Sequence, residues 1–151
     1  NYPGWDINLY IDESQQKKDA FKDDNYERSL SMAPKESLWH VLEGGDGFRI
    51  NVGFDRLNPL LRGSNLWVYL EIPNKWEHEK EFRRLAEEKL IGDTSFYKSD
   101  YFACKEINYK DFIDKKGIFN EVEFHNNVLD SVASLVKSKN IIDKLINKAC
   151  S

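Results

Sequence analysis

The sequence predicts an α+β fold, a single domain over residues 1–151 in which a mixed or mainly antiparallel sheet of four to five strands has helices packed on one face. Three observations carry this expectation. Residues 48–54 and 66–72 alternate apolar and other side chains with a period of two, as strands with one buried face do. Residues 74–91 and 120–149 repeat apolar side chains three and four apart, as helices with one buried stripe do. No internal repeat, low-complexity tract or linker interrupts the chain, and a length of 151 residues suits one hydrophobic core.

Taken in order, residues 5–11 set Trp5, Ile7, Leu9 and Ile11 against Asp6, Asn8 and Tyr10, which reads as a strand. Asp12, Glu13 and Ser14 offer a cap, and residues 15–24 read as a short surface helix whose apolar face is only Ala20 and Phe21. Residues 25–35 are ambiguous, being rich in serine and charge. Residues 37–42 carry Leu38, Trp39, Val41 and Leu42. They are too short for periodicity to separate strand from helix, and lean to strand. Gly44, Gly45, Asp46 and Gly47 mark a turn. A phosphate-cradling loop would need a Gly-Lys-Ser/Thr ending and a helix directly after it, so a hairpin turn is the better reading. In the next strand Phe48, Ile50, Val52 and Phe54 face one way and Arg49, Asn51 and Gly53 the other. A long connection over residues 55–65 can return the chain antiparallel, pairing residues 48–54 with 66–72; loops of this length are often functional.

In the partner strand Leu66, Val68, Leu70 and Ile72 lie on one face, with Trp67, Tyr69 and Glu71 on the other. Pro73 stops it. Asn74 is a suitable helix cap and Glu77 completes a capping box. Phe82, Leu85, Ala86 and Leu90 should then face the core. On the wet side, Glu79 with Arg83, Arg83 with Glu87 and Arg84 with Glu88 are four apart, each pair adding roughly 0.2–0.5 kcal/mol. Gly92 is placed to end the helix in the left-handed conformation. Residues 93–100 are a polar connection, and 101–107 read as a strand. Asn108 and Asp111 can cap a short turn through Phe112 and Ile113 that ends near Gly117. Asn120 and Glu123 repeat the capping box and open a helix with Val122, Val128, Leu129, Val132, Leu135 and Val136 on one side. Asn140 and Asp143 suggest a fresh cap, after which Ile141, Ile142, Leu145, Ile146 and Ala149 continue as a last helix.

Hydrophobic content of 40 % and charged content of 32 % suit a water-soluble globule, with a high aromatic content of 13 %. The formal charge is −4 and the pI about 5.4, which argues against attachment to duplex DNA through charge alone. No run approaches the ~20 apolar residues that span a bilayer. The opening residues lack a basic stretch followed by an apolar one, so no secretory signal is expected. Cys104 and Cys150 are the only cysteines. With no local spacing they form neither a metal site nor a disulfide framework, and two reduced thiols in a cytoplasmic protein are expected.

No motif specifies a chemistry. His40, His78 and His125 each stand without a partner at metal-ligand spacing. No Gly-x-Ser-x-Gly elbow is present. Lys105 follows Cys104, but neighbours in a strand point to opposite faces, so it does not activate the thiol. The carboxylate and Glu-x-Lys pattern of metal-dependent nucleases is absent: Glu71 and Lys75 have the wrong spacing and Pro73 intervenes. No catalytic residue, metal or cofactor is therefore expected.

The candidate site is a face. If the two strong strands pair, the side opposite the aliphatic core carries Arg49, Asn51, Trp67, Tyr69 and Glu71. Aromatics beside an arginine and hydrogen-bonding groups can hold a flat ligand, an unpaired base or a protein segment. Arg56 and Arg62, in the adjoining loop, could add contacts to phosphate or carboxylate. The competing reading buries Trp67 and Tyr69 beneath a second layer and pairs Arg49 with Glu71 as ordinary sheet stabilisers. Three function classes follow. The first is a non-catalytic recognition module for a protein partner or single-stranded nucleic acid. The second is a small acidic inhibitor or immunity-type protein masking a basic partner, with acidic patches around Asp12 and Glu13 and over residues 19–24. The third is an enzyme whose site is assembled from sequence-distant residues.

Overall fold

The computed structural model describes residues 2–11, 28–36, 38–42, 47–54, 65–73, 75–91 and 102–151. Five strands, β1 (Trp5–Ile11), β2 (Arg28–Pro34), β3 (Arg49–Phe54), β4 (Asn65–Glu71) and β5 (Cys104–Asn108), form one sheet in the order β1-β2-β3-β4-β5. Every neighbouring pair is antiparallel. Three helices, α1 (Glu79–Leu90), α2 (Glu121–Lys137) and α3 (Lys139–Cys150), pack against it. This is the α+β class the periodicities predict. α2 lies across β3, β4 and β5, and α1 packs on α3.

The pairing of β3 with β4 sets Ile50 opposite Leu70 and Val52 opposite Val68. Ile50, Val68 and Leu70 are completely buried with Phe48, Phe82 and Ile142. Phe48 is the hub of an aromatic group, its ring 4.7 Å from Phe82, 5.3 Å from Trp76 and 6.3 Å from Trp39. Offset and edge-to-face pairs at such distances add about 0.5–1.5 kcal/mol each beyond area burial. The cover thins toward β1, where Ile7 and Leu30 on the same side of the sheet stay 49 % and 36 % exposed. Trp39 is buried, and its indole N–H donates to Asp143 Oδ1 at 2.8 Å. That bond ties residues 38–42 to α3. Only glycine fits at position 47, because a β-carbon there would overlap the Trp39 carbonyl oxygen. The same oxygen accepts the Phe48 amide at 2.8 Å.

Several expectations need correction. Residues 38–42 are turn and irregular backbone rather than a strand, held by Trp39 instead of a ladder. The second strand is formed by the ambiguous stretch instead, with Met32 and Leu30 facing inward opposite Ile50 and Val52. α1 starts at Glu79, not near residue 74. Lys75 sits at φ 66°, in the left-handed region that no right-handed helix admits. His78 is the cap residue and makes no side-chain cap bond. Arg84 turns back to Glu81 at 2.7 Å rather than forward to Glu88, whereas the Glu79–Arg83 pair forms as expected at 3.0 Å. β5 begins at Cys104, because Phe102 and Ala103 take φ values of 74° and 41° that break the extended run.

On α2 the N-cap half of the capping box forms, Asn120 Oδ1 accepting the Glu123 amide at 3.1 Å. The other half does not, because the Asn120 backbone N–H donates to the Phe112 carbonyl and the Glu123 carboxylate takes the Asn120 side-chain amide instead. The buried stripe is rotated, however. Phe124, Ser131, Val132 and Leu135 are buried, while Val122 and Leu129 are 70 % and 56 % exposed. Asn140 and Asp143 do not cap α3; Asp143 instead takes the Trp39 indole and the Lys139 ammonium, the latter at 2.6 Å. The short helix read over residues 15–24, the glycine turn at 44–46, the 55–64 connection, Asn74, Gly92 and residues 93–101 lie outside the described residues.

Candidate recognition face

Strand alternation and register decide which side chains share the sheet side turned away from the three helices. One row runs Asn8, Ser31, Asn51, Tyr69, Cys104 across all five strands. On one side of it Gly53 lies opposite Trp67, and Trp67 opposite Glu106. On the other side Arg49 lies opposite Glu71. The predicted group of Arg49, Asn51, Trp67, Tyr69 and Glu71 is thus gathered on one face. Trp67 and Tyr69 are two residues apart, roughly 7 Å along the strand.

The burial is graded. Arg49, Trp67, Tyr69 and Glu71 are half-buried, whereas Asn51 is only 4 % exposed, and Ser31, Ala33 and Cys104 are also buried. The Asn51 side-chain amide donates to Glu71 Oε2 at 2.6 Å. A buried amide committed to a carboxylate orients that carboxylate rather than contacting a ligand. The Asn51 amide is thus committed to the Glu71 carboxylate. Arg49, Trp67 and Tyr69 each engage partners of their own. The face is not a set of idle groups. Arg56 and Arg62 lie outside the described residues, as do the acidic stretches expected around residues 12–13 and 19–24.

Sequence reading missed two contributors. Glu106 is exposed and faces Trp67 from β5; the order of the strands, which alternation does not reveal, puts it there. Cys104, in no disulfide, is buried on this same face opposite Tyr69, while Cys150, also in no disulfide, is exposed at the end of α3.

The histidines serve locally. His78 Nε2 is 3.2 Å from Glu77 Oε1, and His125 lies exposed on α2 beside the Phe124 ring. Among the described residues no three histidine, cysteine or carboxylate side chains are grouped to hold a metal ion. Nor is any described helix long and apolar enough to cross a membrane. Comparison with protein-family models, with curated proteins and with solved structures finds no match to this chain.

Proposed function

We propose that this chain is a non-catalytic recognition module that binds a segment of a protein partner on the Arg49/Trp67/Tyr69/Glu71 face. The observation that carries the reading is the arrangement of two aromatic rings, an arginine and an oriented carboxylate, all half-buried, on the sheet side that bears no described helix. Tyrosine, tryptophan and arginine dominate the energetics of protein recognition because they offer large contact area with few rotors.

Charge favours the protein partner over the nucleic acid. A single-stranded nucleic acid needs a positive groove along its backbone. Here Glu71 and Glu106 flank the aromatics, and the whole chain carries −4. That arrangement suits a peptide presenting basic or hydrogen-bonding side chains to Glu71 and Glu106, with an apolar or aromatic side chain on Trp67. Two cysteines outside any disulfide fit a reducing compartment, which supports a cytoplasmic location.

The test is a displayed peptide library and an oligothymidine strand, each offered to the wild type and to Trp67→Ala and Arg49→Ala. Peptides retained by the wild type and released by both variants, with unchanged circular dichroism, are the expected result. Retention of the oligothymidine with a steep salt dependence would move the reading to nucleic acid. Peptide binding that survives both substitutions would remove this face from the site.

A further inference from the structure

On the helix side of the molecule, an open cavity of about 520 Å³ lies between residues 38–42, residues 75–78 and the C-terminal part of α3. Its apolar lining is Leu38, Val41, Leu42, Trp76 and Ile146. Lys75, Glu77, His78 and Cys150 form its polar part. The volume falls in the range that small organic ligands occupy.

The walls are fixed by bonds already described. The Trp39 indole holds residues 38–42 to Asp143 on α3, and the Trp39 carbonyl holds the Phe48 amide. Trp76 is wedged against Phe48 and Phe82, and Ile146 is buried. The cavity therefore does not have to be opened by its occupant.

The polar part is unevenly satisfied. Glu77 and His78 contact each other. Among the described residues the Lys75 ammonium has no hydrogen-bond or ion-pair partner. Its backbone is held at φ 66°, a conformation that disfavours a long side chain and that native structures tend to keep at functional positions. Burial pushes the Cys150 thiol up, and the charge of Glu77 adds to this. The thiol is thus uncharged at neutral pH and extends the apolar wall.

We propose that this cavity binds a small amphipathic acid, with an aromatic or branched aliphatic body against Trp76, Val41 and Ile146 and a carboxylate or sulfonate on Lys75. The choice of an anion rests on Lys75, a lining cation with no counter-charge among the described residues, while the Glu77 carboxylate contacts His78 instead. This site is independent of the sheet face and does not rest on its reading.

Anilinonaphthalene sulfonate is a suitable probe, titrated into the full chain and followed by fluorescence and calorimetry. Saturable one-to-one binding to the native protein is expected, weakened about tenfold or more by Lys75→Gly. Glycine accepts the positive φ without strain, so this variant removes the ammonium while relieving the backbone. Lys116→Ala, on a distant exposed turn, should leave affinity unchanged. Because Cys104 is buried, alkylation of the native protein reports on Cys150, and bound probe should slow it. Absence of saturable binding, equal affinity in Lys75→Gly, or a Cys150 alkylation rate indifferent to the probe would each overturn the proposal. Should Lys75→Gly lose its fold, protection of Cys150 in the wild type decides alone.

Discussion

On the helix side of β4, Leu66, Val68 and Leu70 are buried; on the other side, Trp67, Tyr69 and Glu71 are each half-buried. The strand is the same and the alternation is regular, so local propensity cannot account for the difference. What distinguishes the two sides is the layer above them. α2 crosses β3, β4 and β5, and Phe48, Phe82 and Ile142 close over the aliphatic row. The opposite row gathers an arginine, a carboxylate and a buried amide among its aromatics, groups that must be hydrogen-bonded or wet. One side of the sheet spends its residues on cohesion, and the other carries the polar and aromatic groups proposed for recognition.

The sharpest way to break this comparison is to truncate neighbours that point to opposite sides. Leu70→Ala should lower stability by about 2–5 kcal/mol, because it opens a cavity in a fully buried site. Tyr69→Ala should cost about 1 kcal/mol or less, the scale of a lost cross-strand contact. Urea unfolding of both variants, with slopes compared to verify two-state behaviour, measures the gap. Equal losses would mean that the outward side is as structural as the core and would withdraw its assignment to recognition.

A smaller effect tests what holds the helix side together at its edge. Trp39→Phe keeps most of the ring but removes the indole N–H that reaches Asp143. A net loss of about 1–3 kcal/mol is expected, since Asp143 gives up a partly buried bond while keeping Lys139. Loss of near-ultraviolet dichroism from Trp39 should accompany faster amide exchange at Phe48, whose N–H is bound to the Trp39 carbonyl. Unchanged exchange there would show that residues 38–42 are held by something other than this bond.

These two regions also differ in how far the sequence discloses them. The β3–β4 pair and its outward group were readable, because alternation over six or seven residues specifies both a strand and its two sides. The N-cap at Asn120 was readable because its geometry is local. Residues 38–42 were not. Their apolar content looks like a strand, yet Trp39 is buried through a bond to a residue more than a hundred positions away. β2 was obscured by the serines that alternate with Leu30 and Met32. The start of α1 was misplaced because one residue, Lys75, takes a left-handed φ that no propensity anticipates. The partition of α2 into buried and exposed apolar positions likewise depends on which strands it crosses, and that is decided only when the sheet is complete.

The smallest expected effect concerns the solvent side of α1, where Glu81 and Arg84 meet at 2.7 Å. The hydrogen bond from Arg84 holds the Glu81 carboxyl below its usual range, and the same contact holds the Arg84 guanidinium above its own. A carboxylate whose folded pKa is depressed contributes stability above the unfolded pKa and loses it as pH falls through the folded value. Both groups are fully exposed, so water and salt screen the pair and the contribution is slight. Arg84→Gln, which keeps helix propensity nearly constant, should therefore shift the urea midpoint only slightly at neutral pH. The difference from wild type should close as the pH falls below the ordinary carboxylate range, and shrink in concentrated salt. A difference that persists in acid would mean that Arg84 acts through packing of its aliphatic stem, and that this side of α1 belongs with the cohesive half of the molecule after all.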